Sequence, residues 1–198
     1  MLHTTDAIVL SLQPHSDKAQ VLHAYTRTGG RVNYMVYGIG RKNPRGLYAP
    51  FSLVQITADL SPNRPPTVKE TTSVYSPYSE MDYTKQTVAL FLSEVLYHTL
   101  RYPMEDKQLF EFIASSVRQL DSNPNFHIHF LVNLAAKLGF AIPEDSNLKR
   151  QTTTNDIQQL LTRTERQKAL KALCEYYAEH VETWQTPKSL DVLMEVFD

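Results

Sequence analysis

Arg41, Lys42 and Arg45 fall in one Gly/Pro-containing stretch, Gly38-Ile-Gly-Arg-Lys-Asn-Pro-Arg-Gly46. Flexible cations in such a loop can follow a phosphate backbone, because each neutralised phosphate releases counterions. Upstream, Arg27 and Arg31 flank Gly29-Gly30, and Tyr25, Tyr34, Tyr37 and Tyr48 interleave with the cations. Charge that holds a backbone, combined with rings that stack on bases of any kind, is the chemistry of single-strand binding. Between Asp17 and Asp59 the chain carries six Lys/Arg and no acid, an electrostatic footprint for an anion. The competing reading is a solvated cationic face with the tyrosines in the core. Strand alternation puts Tyr34 on the Val32/Val36 face, and so in the core, and leaves Tyr37 beside Met35 as the stacking candidate. The candidate nucleic-acid-binding residues are therefore Arg27, Arg31, Tyr37, Arg41, Lys42 and Arg45.

Catalytic constellations are missing. The chain has no H-E-x-x-H, no G-x-S-x-G and no G-x-x-x-x-G-K-[ST]. Gly38-Ile-Gly40 lacks the third glycine and the Lys-Ser/Thr of a phosphate loop, and reads as a hairpin or loop. His127 and His129 are two apart, which on a helix puts them on different faces and makes them poor joint metal ligands. The single cysteine, Cys174, excludes an internal disulfide and any zinc ribbon built on cysteine pairs. Inside an amphipathic helix it reads as a small buried apolar residue. The acid-free window cannot by itself hold a two-metal site. No enzyme, no metal and no cofactor is expected.

The elements that would carry these residues change character near residue 80. Ala7–Leu12, Gln20–Thr26, Arg31–Tyr37, Phe51–Leu60 and Thr67–Tyr75 read as strands. Thr28-Gly-Gly-Arg31 is a hairpin signal, and Ser61–Pro66 is a connection. Five short strands in about 75 residues suggest a small barrel, and the five-stranded OB type is the common oligonucleotide binder. From Tyr83 the period becomes helical: Tyr83–Tyr102, ended by Pro103; Asp106–Leu120; Asn125–Leu138, capped by Gly139; a short helix Asp156–Leu161; Thr164–Trp184, opened by a Thr164–Gln167 capping box; and Ser189–Val196. The span 143–155 is polar and reads as a surface loop. The expected fold class is α+β, with an OB-type barrel over 1–79 and an all-α domain over 80–198. Charge follows the same division. Residues 1–80 hold eight Lys/Arg and five Asp/Glu, and residues 81–198 hold twelve and sixteen. The first twelve residues lack the features of a signal peptide, and no window approaches a membrane span. The expected setting is the cytoplasm, with no membrane partner.

Thr5-Asp-Ala-Ile-Val-Leu10, Tyr25-Thr-Arg-Thr-Gly-Gly-Arg31, Gly38-Ile-Gly-Arg-Lys42 and Tyr48-Ala-Pro-Phe51 resemble the N-terminal barrel of the RecO family. Leu92-Ser-Glu-Val-Leu96, Phe130-Leu-Val-Asn-Leu-Ala-Ala-Lys-Leu-Gly-Phe140 and Pro187-Lys-Ser-Leu-Asp-Val-Leu193 resemble helices of its second half, in the same order. Many members carry a four-cysteine zinc module after the glycine that closes the third helix. Here Gly139 is followed by Phe-Ala-Ile-Pro143 and a short polar stretch, so no zinc role is carried over. The resemblance implies a nucleoid-associated recombination mediator. Such a protein binds single- and double-stranded DNA, anneals complementary strands, and assists recombinase loading onto DNA coated by single-strand-binding protein. The implied partners are RecR and the C-terminal tail of single-strand-binding protein. For that acidic-hydrophobic tail the candidates are Phe130, Leu134, Lys137 and Lys188. The Phe126–Leu138 stripe also reads as plain bundle core. A barrel that binds protein without touching DNA is the alternative function.

Overall fold

The computed structural model describes residues 1–40, 44–79, 81–120, 123–152 and 161–196. Five strands form a closed barrel: β1 (Leu2–Ser16), β2 (Ala19–Thr26), β3 (Gly30–Tyr37), β4 (Leu53–Asp59) and β5 (Thr67–Tyr75), in the order β1-β2-β3-β5-β4. All neighbours are antiparallel except β3 and β5, which meet in parallel at Met35 and Thr67. A short 3-10 turn, Arg45–Tyr48, precedes β4. Among the described residues six helices follow: α1 (Tyr83–Thr99), α2 (Lys107–Gln119), α3 (Phe126–Lys137), α4 (Asn147–Thr152), α5 (Arg163–His180) and α6 (Leu190–Val196). The α+β architecture with an OB-type barrel agrees with the sequence expectation.

The barrel explains why Ala7-Ile-Val-Leu10 is apolar without alternation. Ala7 and Val9 point inward with Leu22, Ala24, Tyr34, Val36, Val54 and Ile56. Ile8 and Leu10 point outward, yet they are equally buried, because they join Tyr25, Phe51 and Leu53 in a second core made with the helices. A strand covered on both faces reads as a continuous apolar run. β1 is also longer than its apolar segment. Its first residues pair along the whole of β4, from Leu2 opposite Asp59 to Ile8 opposite Leu53, and its last residues pair with β2. Backbone pairing sustains those polar ends, helped by side-chain hydrogen bonds such as Thr4 to Thr57 at 2.9 Å and His3 to Thr28 at 3.1 Å.

Aromatic contacts tie the two halves together. Tyr25 stacks on Phe110 at 6.3 Å, and Phe51 meets Phe130 edge-on at 5.8 Å. Phe51 adopts φ 62° and is the one non-glycine residue with positive φ among those described. That conformation costs about 1–2 kcal/mol for an L-residue. Its N–H donates to the Val9 carbonyl (2.8 Å), and its ring is fully buried against α3. Phe51 therefore belongs to the bend that feeds β4, not to the strand itself.

Helix boundaries differ from expectation where tertiary contacts decide them. α1 ends at Thr99 rather than Tyr102. Helix ends leave four carbonyls without intrahelical partners, and here three are taken by distant side chains. Arg31 donates to the Tyr97 and Leu100 carbonyls at 3.3 and 3.1 Å, and Thr183 to that of His98 at 2.6 Å. α5 opens two residues earlier than expected, on a Thr162–Glu165 capping box. Both Thr162 and Thr164 have the right spacing, but Glu165 brings a charge that binds the Thr162 N–H and suits the helix N-terminus. α5 ends at His180, short of Trp184, whose ring packs on Tyr177 at 5.1 Å. The span 143–155 contains α4, held by the partly buried Leu148, and is not wholly loop. The expected helix at 156–161 lies outside the described residues except for Leu161. α3 closes as the sequence suggests: Gly139 has φ 90°, and the Phe140 and Gly139 N–H groups donate to the Ala135 and Ala136 carbonyls, a Schellman motif.

His127 is buried on α3 against Phe91, and burial, reinforced by Arg166 and His129, pulls its pKa down to about 3. Below about pH 6.5 the unfolded chain gains a proton there that the folded protein refuses, so stability present above that pH is lost as pH falls. Urea denaturation at about pH 7 and about pH 5 should register a fall of up to about 1.4 kcal/mol per pH unit from this residue. The His127→Gln variant should lack that component of the slope.

Candidate nucleic-acid interface

One end of the barrel is open and basic. Tyr37, the last residue of β3, is 52% exposed and stands between two clefts. The first, of about 460 Å³, runs from Ser16, Asp17 and Lys18 in the β1–β2 turn to Gly38 and Ile39. The second, of about 560 Å³, is lined by His15, Met35, Thr67 and Lys69 from the strands and by Ser61, Arg64 and Pro65 from the β4–β5 connection. The surface thus combines the outer face of β2–β3 with the β1–β2 and β4–β5 loops, the face and loops that OB barrels use for oligonucleotides. Tyr37 points outward because β3 alternates: Tyr34 and Val36 lie in the barrel core, while Met35 and Tyr37 do not.

Lys18, Arg64 and Lys69 supply exposed cations around Tyr37. Two acids temper them. Asp17 lines the first cleft. Asp59 lines the second, but it accepts the N-terminal ammonium at 3.1 Å and the Ser61 hydroxyl at 2.9 Å, with Arg64 at 4.0 Å. Those hydrogen bonds hold its carboxyl below the usual range. Arg64 and Lys69 lie outside the acid-free window, and the density of cations along the chain gives no reason to choose them. Their signal is their position, Arg64 within the Ser61–Pro66 turn and Lys69 among the first residues of β5.

The residues singled out from the sequence are distributed differently from expectation. Arg45 is exposed on the 3-10 turn, and Tyr37 holds the position described above. Arg41 and Lys42 lie outside the described residues. Arg27 faces the helical half: it pairs with Asp6 at 3.2 Å and with Glu111, and its guanidinium lies over Phe110 at 4.8 Å. Arg31 is only 7% exposed. Its guanidinium holds the end of α1 and lies 4.5 Å from the Tyr97 ring centroid. Burial brings its pKa down to about 10, so it remains charged at neutral pH. Gly30 beside it has φ 60°, and a Cβ there would collide with the backbone of Met104. Gly30 and Arg31 are therefore sealed under the segment after α1, while Thr28 earlier in the turn is exposed.

In the helical half, Phe130 stacks on Phe112 at 5.3 Å, and Lys137 lies over the Phe112 ring at 5.4 Å. Phe112, Phe126 and Phe130, with Ser116, Gln119, Asn123, His129 and Asn133, line a groove of about 500 Å³. Leu134 is fully buried and cannot line a surface. Lys188 is exposed and does not line this groove; its neighbour Ser189 is tied to α1, its N–H and hydroxyl both donating to Glu94 at 3.0 and 2.8 Å. Cys174 is buried, and burial pushes its thiol up to about 12, which leaves it inert as a nucleophile. Among the described residues no group of three or more His, Cys, Asp or Glu is placed to hold a metal ion. No described helix is long and apolar enough to cross a membrane.

Arg31→Ala would strand two carbonyls at the end of α1, and the expected loss of stability is about 2–3 kcal/mol. Arg64→Ala and Lys69→Ala should leave the unfolding free energy within about 0.5 kcal/mol of native. Chemical denaturation of the three variants checks the division between structural and surface cations.

Comparison with known proteins agrees with this architecture. Residues 1–76 match the family model for the N terminal part of recombination protein O, and residues 80–158 match that for its C terminal part. Curated proteins named DNA repair protein RecO are similar over their full lengths. Those of Bacteroides fragilis and Phocaeicola vulgatus are 29% identical, and that of Porphyromonas gingivalis is 26% identical, each with 100% of both chains covered. The Bacteroides alignment runs over 243 positions against the 198 residues of this chain.

Proposed function

The chain belongs to the RecO family, which supports a role in DNA repair and recombination, and on that premise we propose that it is a non-enzymatic mediator that binds DNA through the open end of its barrel. Tyr37 is the observation that carries this reading: an exposed ring at the rim of a closed barrel, with Lys18 on one side and Arg64 and Lys69 on the other. Stacking on one exposed ring is worth about 1–3 kcal/mol per base and tolerates any sequence. The surrounding cations hold the backbone on either side. Arg41, Lys42 and Arg45, in the sequence that follows β3, are further candidates for phosphate contacts.

Annealing requires two polyanions to approach each other, so the protein must neutralise phosphates on both. Cations on two separate loops flanking Tyr37 suit that task better than one compact cluster. The relatives named RecO lead us to propose strand annealing and assistance to recombinase loading on DNA coated by single-strand-binding protein, with RecR as a partner. The groove of Phe112, Phe126 and Phe130 beneath Lys137 has the chemistry for an acidic-hydrophobic tail. Its rings would receive apolar side chains, and the lysine would meet a terminal carboxylate.

Single-strand affinity should fall with salt at a slope of about 0.7 per phosphate contact. Replacing Lys18, Arg64 and Lys69 by Ala together should lower that slope by about 2, while Tyr37→Ala should weaken binding with the slope unchanged. Fluorescence anisotropy across a salt series reads both. A native protein without affinity for DNA at low salt would overturn the reading in favour of a protein-binding barrel. For the groove, Lys137→Glu should abolish capture of single-strand-binding protein that retains its tail. Native protein should capture none that lacks it.

A further inference from the structure

The outer face of β2 and β3 does not end at Tyr37. It runs back along the paired rows Ala19/Tyr37, Val21/Met35 and His23/Asn33. Successive rows on one face are about 7 Å apart, so the last row lies about 13 Å from Tyr37. There the strand face meets α1. Four basic side chains surround the Tyr97 ring: Arg31 at 4.5 Å, Arg101 at 5.1 Å, and the His23 and His98 rings edge-on at 5.2 and 5.3 Å. The Gln13 amide donates to the Tyr97 hydroxyl at 3.3 Å.

This cluster has excess positive charge. Among the described residues neither guanidinium has a carboxylate within ion-pairing distance. The acid nearest in effect, Glu94, already accepts two bonds from Ser189. Arg31 is engaged by the α1 carbonyls. Arg101 is half-buried, and its Nε is buried without a hydrogen-bond partner, as is Nδ1 of His98. Buried donors in folded proteins are normally satisfied, and a charged donor gains most from an anionic acceptor.

We propose that Arg101, with His23 and Gln13 beside it, forms a second phosphodiester site at the junction of barrel and α1, so that a single strand stacked on Tyr37 continues along the β2–β3 face onto the helical half. The proposal rests on the DNA-binding reading of the barrel and extends its path. The histidines give the site a signature. His23 and His98 lie below the ordinary imidazole range, first through burial and then through Arg31 and Arg101. The Asn33 hydrogen bond opposes the shift at His23. At His98 Glu94 opposes it, while Lys188 adds to it. A phosphate bound at Arg101 offsets the arginine contribution and raises both, so binding takes up protons and tightens as pH falls.

The test compares the native chain, Arg101→Gln and the Arg64→Ala/Lys69→Ala pair on oligothymidines of roughly 4 and roughly 16 nucleotides, the range of OB site sizes. The expected result for Arg101→Gln is native affinity for the short strand, a loss of about three- to tenfold on the long one, and a salt slope lower by about 0.7. The tightening of native binding below neutral pH should be blunted in the same variant, and Arg101→Lys should recover part of the loss. The cleft pair should lose affinity for both lengths. Arg101→Gln with native affinity and slope on the long strand, while the cleft pair is impaired, would overturn the second site and leave the barrel reading intact. A native chain that binds neither strand would overturn both. Inorganic phosphate alone, followed by the His23 and His98 ring resonances, separates the sources. Shifts with phosphate that long oligothymidine fails to reproduce would mean a free-anion site and sink the proposal. Should Arg101→Gln fail to fold, His23→Gln with Gln13→Ala should weaken long-strand binding and blunt its tightening below neutral pH, with the salt slope at neutral pH unchanged because neither substitution removes a full charge there; native long-strand affinity and pH dependence in that variant would overturn the second site.

Discussion

The end of α1 depends on a guanidinium that comes from another part of the fold. Arg31 leaves β3, crosses the junction and donates to two carbonyls of a helix more than sixty residues away. A helix C-terminus favours positive charge, and a buried one needs its carbonyls filled. Much of the junction follows from that requirement. Gly30 must be glycine-like, because Met104 passes directly over it. The Arg31 N–H reaches the Tyr102 carbonyl at 3.4 Å. Tyr97 is held between strand and loop by the two arginines. Arg27, Asp6 and Glu111 form a second cross-link on the neighbouring side. Barrel and bundle share one apolar core in consequence, with Ile8, Leu10, Tyr25, Phe51 and Leu53 contributed from the barrel side.

Fixing the junction also sorts the cations. Two arginines of the acid-free window turn inward and stabilise the fold. Other cations of the barrel stay exposed, among them Lys18, Arg64 and Lys69 in the clefts around Tyr37. The same junction leaves Arg101 half-buried, without a carboxylate partner among the described residues, at the other end of the β2–β3 face. A structural charge and an exposed ring thus sit on one strand: Arg31 and Tyr37 share a face of β3, one under the helices and one in water.

Much of the architecture was legible along the chain because it rests on local periodicity. Val32, Tyr34 and Val36 alternate with Met35 and Tyr37, and the barrel keeps that division. Asp82 and Asp106 accept from the N–H groups three residues on, as helix caps should. Gly139 closes α3 in the conformation its position suggests. Boundaries failed where a distant group decided them. Pro103 marks the end of a helical pattern, but α1 stops earlier because Arg31 and Thr183 hold its carbonyls. Phe130 and Lys137 were legible as residues of one helix; that both meet Phe112, and that Leu134 is fully buried, depends on how the helices pack.

The sequence by itself determined the sign and location of the charge, the change from strand to helix near residue 80, and the family. Each of these is a property of composition or of short-range pattern. Only the tertiary structure decided which cations face water. Asp6, Glu111 and the end of α1 lie far from Arg27 and Arg31 along the chain, and the desolvation and pairing that engage those arginines arise only when the barrel closes against the helices. For the same reason Arg64 and Lys69 join Tyr37 only once β5 has closed the barrel between β3 and β4.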